Sequence, residues 1–439
     1  MVNNSDFIVK GDICWSKSPT DLKTGTFLVC SGGKSAGVYE TLPDVYAALP
    51  LIDHSGCLII PGLVDLHMHA PQFAFRGLGM DLELLDWLKT NAFPEEAKYR
   101  DIEYARRAYR PLVEHLRCGP NTRMVIYATL HTQATLVLMD LLEESGLVCM
   151  VGKVNMDRNS PDYLREENAA ASLDATRDWL SACFSDGEDG AKRKYQNVYP
   201  ILTPRFIPSC SDELMHGLAV IQKKFRLPVQ SHMSENRREQ QWVAQLCPGS
   251  GGYGAAYAGF DLFGNSAATV MAHCVWSDEK EIALMAERNV FMAHCPQSNT
   301  NLSSGIAPVR RFLDAGCPVG LGSDVAGGTN SSIFRAMSDA IQVSKLRSVL
   351  SGEAAKPLSL EEAFCLGTSG GGAFFAAAQH GTASGSFDTG YEFDALIIDD
   401  SGLATPIPLS TRDRLERVIY LSDDSHIKAK YVRGKELIL

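Results

Sequence analysis

Eight short apolar segments, set along the middle of the chain and separated by stretches with a helical repeat, limit the fold of this sequence more than any other feature. They cover residues 58–69, 124–131, 148–154, 198–205, 228–232, 269–273, 290–294 and 318–324. Most are apolar at successive positions and too short for helices, as expected of strands buried on two sides in a parallel sheet. Between them, 104–116, 172–184, 212–225, 237–246, 278–287 and 308–314 repeat apolar residues at helical intervals, with charged positions on the other face. Strands and helices alternating in this way predict an α/β fold, a (β/α)8 barrel. Further helices are expected at 331–349 and 359–366.

At 439 residues the chain is longer than the roughly 250 that one barrel needs. The surplus lies at the ends, where 7–15, 26–30, 57–60, 393–398, 417–421 and 429–439 are short β-prone segments between Gly, Ser, Asp and Pro turns. They predict a small β-sandwich domain built from both termini, 1–60 and 385–439, around a barrel at 61–384. A net charge of -11 with no long Lys/Arg cluster argues against nucleic acid or an anionic membrane surface as partner. No run approaches the ~20 apolar residues of a membrane span, and residues 1–10 lack the pattern of a signal peptide. Twelve cysteines without a CxxC pair fit free thiols in a reducing compartment, so a soluble cytoplasmic protein is expected.

The first barrel segment ends in two histidines one residue apart, in PGLVDLHMHAPQF from Pro61. Alternation along a strand puts Asp65, His67 and His69 on one face, where two imidazoles can share a cation. Four other segments end in a possible ligand: His232, His273, His294 and Asp324. Parallel barrel strands bring their C-terminal ends to one mouth, so these distant residues are expected to meet. Imidazoles with one carboxylate suit Zn2+ or Fe2+ with a position open to water, whose pKa such a metal lowers from 15.7 to about 7. Glu235 follows His232 by three residues in SHMSE. It can shuttle a proton in general acid–base catalysis, or cap a helix start with Ser231 or Ser234; its place beside His232 favours the proton. Asp65 is a candidate for orienting a ligand.

Read in order, PGLVDLHMHAPQF, TPRF, QSHMSENRRE, MAHC, AHCPQSN and LGSDVAGG resemble the amidohydrolase superfamily, in its metal-dependent branch that deaminates guanine. The resemblance runs over nearly the whole chain. It implies one zinc per chain held by His67, His69, His232 and Asp324. His273 is then a hydrogen-bonding partner of the water or the product oxygen, Glu235 the proton shuttle, and Asp324 a second acceptor for the water's proton. Dinuclear relatives carry a modified lysine at the end of the fourth strand. Here that strand ends Thr203, Pro204, Arg205, and Lys153 on the third is read as structural. His294 is expected beside the site and His131 at the pocket's edge. A homodimer is also implied. CGPNTRMVIYATLHT, from Cys118, departs from the family's usual turn: Pro120 restricts the backbone and Arg123 puts a charge at the stability end of the barrel, with a cost expected in folding and none at the site.

The implied substrate is guanine, converted with water to xanthine and ammonia. Its O6 and N7 are adjacent acceptors that match a guanidinium fork, which points to Arg205 as the reading residue. Phe206 is expected on the purine face and Gln72 at the ring edge nearer the metal. An aminohydrolase for another purine, a pyrimidine or a triazine competes with this reading, as does a catalytically silent scaffold. The intact ligand set with Glu235 weighs against the scaffold.

Overall fold

The computed structural model describes residues 6–184, 193–351, 356–378 and 383–438. The chain begins with β1 (Phe7–Ser16), β2 (Leu22–Ser31), β3 (Lys34–Tyr39) and β4 (Leu51–Pro61). Gly62 then interrupts what the sequence presents as one apolar run; a Cβ there would lie 2.2 Å from Thr122 Oγ1. Next come β5 (Leu63–His69), β6 (Asn121–Tyr127), β7 (Val148–Gly152), β8 (Val154–Asn155), β9 (Val198–Pro200) and β10 (Thr203–Pro204). They are followed by β11 (Val229–Met233), β12 (Thr269–His273), β13 (Phe291–His294) and β14 (Val319–Leu321). The chain returns through β15 (Ala395–Ile398), β16 (Ile427–Val432) and β17 (Lys435–Leu437).

From β5 to β14 every pairing is parallel. Two four-stranded sheets, β5-β6-β7-β9 and β11-β12-β13-β14, result, with β8 and β10 extending β7 and β9. Backbone hydrogen bonds join the sheets at both edges. Leu202 N donates to Pro228 O at 2.9 Å, and Gln230 N to Leu202 O at 2.9 Å. On the other side Asp324 N donates to His67 O at 2.8 Å, and His69 N to Val325 O at 2.9 Å. The predicted strands thus follow one another around a ring, and their ends meet at one mouth.

Alternate residues of these strands enter different packing layers, as the two-residue period of a strand demands. Val125, Met150, Val270 and Phe291 share one buried cluster with Phe374 and Phe375. Their neighbours Ile126, Val151, Met271 and Met292 pack in a second cluster with the surrounding helices. All eight of the expected helices lie within a few residues of their predicted bounds, among them Asp212–Phe225 and Arg237–Leu246. The helix Thr132–Ser145 and the short segments between β5 and β6 have no counterpart in the sequence reading.

The two chain ends form one seven-stranded sheet in the order β17-β16-β15-β4-β1-β2-β3. Residues 417–421, read from sequence as a strand, belong instead to the helix Thr411–Leu421. Ser410 and Asp413 cap its start, and Leu415, Val418 and Ile419 bury a stripe against the sheet, so the helical period outweighs the β-prone RVIYL window. The expected cost of Arg123 is offset as well. Fully buried at the start of β6, it donates through Nε to Asp394 Oδ2 at 2.5 Å and through Nη2 to Glu392, two carboxylates supplied from beyond the barrel. Among the described residues no helix is long and apolar enough to cross a membrane.

Candidate active site and metal centre

β5 delivers His67 and His69, β11 delivers His232, and the turn after β14 delivers Asp324. Gly322 lets this happen, because a Cβ at that position would sit 2.9 Å from His67 Cβ and 2.8 Å from Cys295 Sγ. His67, His69 and His232 offer ring nitrogens that all lie within 4.8 Å of one another. His69 Nε2 faces His232 Nε2 at 3.1 Å; Asp324 Oδ1 is 3.1 Å from His67 Nε2 and 3.6 Å from His69 Nε2. His232 Nδ1 is 2.6 Å from the carbonyl oxygen of Arg205, which fixes the proton on Nδ1 and leaves Nε2 as a lone pair. His67 Nε2 is buried without a hydrogen-bond partner. Lone pairs converging in a buried space repel unless a cation lies between them, so three imidazoles and one carboxylate fit a divalent metal.

Burial pushes the imidazoles of His67, His69 and His232 below their usual range, the last two far below, which keeps them neutral. Burial would push the Asp324 carboxyl up, but the rings of His67, His273 and His69 outweigh it and hold the group well below the usual carboxylate range. Ser234, His273 and Asp324 all have left-handed backbones, with φ of 51°, 74° and 47°. Such conformations in residues other than glycine cluster where a site demands one side-chain direction. A second group, His67, His273 and Cys295, also has ligand atoms within 4.8 Å. Burial drives the Cys295 thiol far up, so it stays protonated and is a poor ligand.

Glu235 lies beside this cluster, with Oε2 3.4 Å from His273 Nε2. Its Oε1 accepts from Ser304 Oγ at 3.2 Å. Burial, then the charge of Asp324, pushes its carboxyl well above the usual carboxylate range. Glu235 is not the helix cap: Asn236 caps Arg237–Leu246, and Glu239 Oε2 accepts from Glu235 N at 3.0 Å. His273 Nδ1 pairs with Asn299 Oδ1 at 2.9 Å, which puts its proton on Nδ1 and turns an acceptor at Nε2 toward Glu235.

A cavity opens above the cluster. Gln72, Arg205 and Phe206 line one wall of it, as the sequence reading expects. Leu84, Leu85, Trp87, Leu88 and Leu302 supply apolar walls that the sequence reading did not single out, and Glu239 borders the floor. The signal for the first four was present in ELLDWLK, an amphipathic segment directly downstream of the HxH strand. Arg205 is not free in this wall. Its Nη1 and Nη2 donate to Glu96 Oε2 and Oε1 at 2.6 and 3.0 Å, and Phe93 lies 5.1 Å from the guanidinium.

Other sequence candidates stand apart from the cavity. His131 bonds Thr129 Oγ1 through Nδ1 at 3.0 Å, at the start of Thr132–Ser145, and does not line the pocket. His294 borders a separate cavity with Ala307, Val309 and Leu358. Lys153 is fully buried and donates to Glu166 Oε1 at 2.5 Å and Val154 O at 3.1 Å, a structural pair. Asp65 does not touch a ligand ring. Its Oδ1 accepts from His67 N and Ser323 N, both at 3.0 Å, so it ties the backbones that carry His67 and Asp324; burial pushes its carboxyl up to about 6. His380 lies outside the described residues.

Residues 58–437 match the model of the amidohydrolase family. The guanine deaminase of Dictyostelium discoideum is 36% identical over 391 residues, covering 88% of this chain and 84% of that one. The guanine deaminase of Homo sapiens is 37% identical over 389 residues, with coverage of 86% and 82%. Among solved structures, guanine deaminase from C. acetobutylicum with guanine bound in its active site aligns over 99% of this chain and 100% of that one. Its TM-score is 0.92 and its sequence identity 44%.

Proposed function

This chain belongs to the amidohydrolase family, and from that premise we propose that it is a guanine aminohydrolase, converting guanine and water to xanthine and ammonia. The observation that carries the reading is one cavity whose floor holds the histidine–aspartate cluster with Glu235 and whose wall holds Arg205 and Gln72. The likeness to a structure with guanine bound supports it. His67, His69, His232 and Asp324 would hold one zinc per chain, and zinc bound there supplies Lewis-acid activation of water at neutral pH.

The residues of the chain do the rest. Arg205 and Gln72 hold the ring so that C2 lies over the cluster, and Phe206 packs on its face. Leu84, Trp87 and Leu88 exclude bulk water from the cavity, which strengthens each polar contact inside. As water adds to C2, Glu235 takes one of its protons and passes it to the ring nitrogen N3. Asp324 takes the second proton and returns it to the amino group, which leaves as ammonia while C2 becomes the carbonyl of xanthine. His273, with Nε2 toward Glu235, receives a hydrogen bond from the protonated carboxyl between these transfers. The same reading makes the protein cytoplasmic, in keeping with twelve free cysteines, and a homodimer by family resemblance.

Ammonia release from guanine, adenine, cytosine and triazines tests the substrate, with guanine expected to be turned over fastest. Elemental analysis should find about one zinc per chain. No ammonia from guanine, or two metals per active chain, would overturn the reading.

A further inference from the structure

Glu96 ends no strand and belongs to none of the motifs, yet it is 1% exposed and accepts hydrogen bonds from both polar residues of the substrate wall. Arg205 Nη1 donates to Oε2 at 2.6 Å and Nη2 to Oε1 at 3.0 Å. Gln72 Nε2 donates to the same Oε1 at 2.8 Å. The other end of the Gln72 amide is fixed too, because its Oε1 accepts from Ala326 N at 3.2 Å, in the turn that follows Asp324. One carboxylate therefore clamps the guanidinium and the amide in a single relative orientation.

We propose that Glu96 is the positioning residue that sets the pocket's preference for a neutral purine over an anionic one; this rests on the reading of the protein as a guanine deaminase. A guanidinium has two two-donor edges. Glu96 occupies the Nη1/Nη2 edge and leaves the edge that contains Nε for O6 and N7 of the ring. Charge adds a second effect. Arg205 and Glu96 form a buried pair without net charge, so a neutral ring gains its hydrogen bonds, and an anion is met by the negative charge behind the fork. Substrate and product differ in this respect, since xanthine loses a ring proton more readily than guanine. The clamp that reads the substrate thereby favours release of the product.

Two variants separate geometry from charge. Glu96→Gln keeps the length and removes the charge; Glu96→Asp keeps the charge and shortens the reach. Guanine kinetics and xanthine inhibition are measured across the pH range in which xanthine ionises, with zinc content and melting temperature determined for each protein. Glu96→Gln should raise KM for guanine roughly 10- to 100-fold, with kcat changed less than about 3-fold, the effect of loosening one charge-assisted fork. The ratio of the xanthine Ki to the guanine KM should fall by at least about 10-fold, and further toward alkaline pH, as expected once a cation is left unpaired. Glu96→Asp should raise KM and keep the parent's ratio and its pH dependence. A Glu96→Gln enzyme with the parent's KM and ratio overturns the proposal. Should that variant not fold, a Glu96→Asp enzyme with the parent's KM does so. A parent that releases no ammonia from guanine removes the deaminase reading, and this inference with it; an active parent beside unchanged variants removes the inference alone.

Discussion

On the proposed reading, Glu235 and Arg205 divide the work of the cavity between proton transfer and recognition. Burial and the charge of Asp324 raise the Glu235 carboxyl above its usual range, and Ser304 fixes one of its oxygens. Glu235→Gln keeps that shape without a transferable proton. Turnover should fall by at least ~100-fold, with metal content and melting temperature nearly unchanged. Near-parental turnover would leave Glu235 without a chemical role. Arg205→Ala removes the donors proposed for O6 and N7 and strands the Glu96 carboxylate, so kcat/KM for guanine should drop roughly 10- to 1,000-fold, mainly through KM. The backbone oxygen of Arg205, which holds His232, remains in place, so metal content should not change. Steady-state kinetics with guanine at the parent's level would separate Arg205 from recognition.

The element that gives the cavity its apolar side is the run of short helical segments after β5. Leu84–Trp87 and Leu88–Ala92 present apolar residues to the cavity, and Phe93–Ala97 carries Glu96 to Arg205. Its start is tied to the loop after β11: Glu83 Oε1 accepts from Asn236 Nδ2 at 2.7 Å, and Glu83 Oε2 from Arg238 Nη1 at 3.2 Å. Asn236 is the cap of Arg237–Leu246 and the neighbour of Glu235, so this run is fastened beside the Glu235 carboxyl. Glu83→Ala frees it. The half-exposed contact predicts a stability change within about 1 kcal/mol. KM for guanine should rise roughly 3- to 10-fold, because ordering the run is then added to the cost of binding. Calorimetry with kinetics reads both, and an unchanged KM means the leucines and Trp87 hold the run alone.

At the scale of the molecule, the ring of strands and the terminal sheet are joined through buried charge. Arg123 of β6 pairs with Asp394 and Glu392, and Arg433 Nε reaches Glu392 Oε2 at 3.0 Å. Lys430 of β16 is fully buried and donates to Leu116 O and Asn121 O at 3.0 and 3.1 Å, with burial pushing its pKa from 10.5 down to about 7. The unfolded chain keeps that amine protonated up to about pH 10.5. Between about pH 7 and 10.5 the unfolded state therefore binds the extra proton, and stability rises with pH. Below about pH 7 both states are protonated and the full penalty, on the order of a few kcal/mol, is present. Lys430→Leu should lose this slope: relative to the parent it gains stability most at neutral pH and least at alkaline pH. Denaturant titrations over that range check it; parallel curves for the two proteins would show that Lys430 is not a neutral amine in the fold.

What the sequence determined by itself was local and periodic. The two-residue alternation of β5 and its followers, the helical repeats of Asp212–Phe225 and Arg237–Leu246, and histidines or aspartate closing five segments are written within windows of a few residues. Because all barrel strands run one way, strand-end positions sufficed to bring His67, His69, His232, His273 and Asp324 to one place. Where local signals compete, the sequence misled: RVIYL is β-prone by composition and helical by its apolar spacing. Only the tertiary structure decided the pairs that share no window. Glu96 and Arg205 stand 109 positions apart, and Arg123 and Asp394 stand 271 apart. A buried charge carries no mark of its partner in the chain around it. The partner is chosen when the ring closes and water is excluded, because only then does leaving either charge alone become costly.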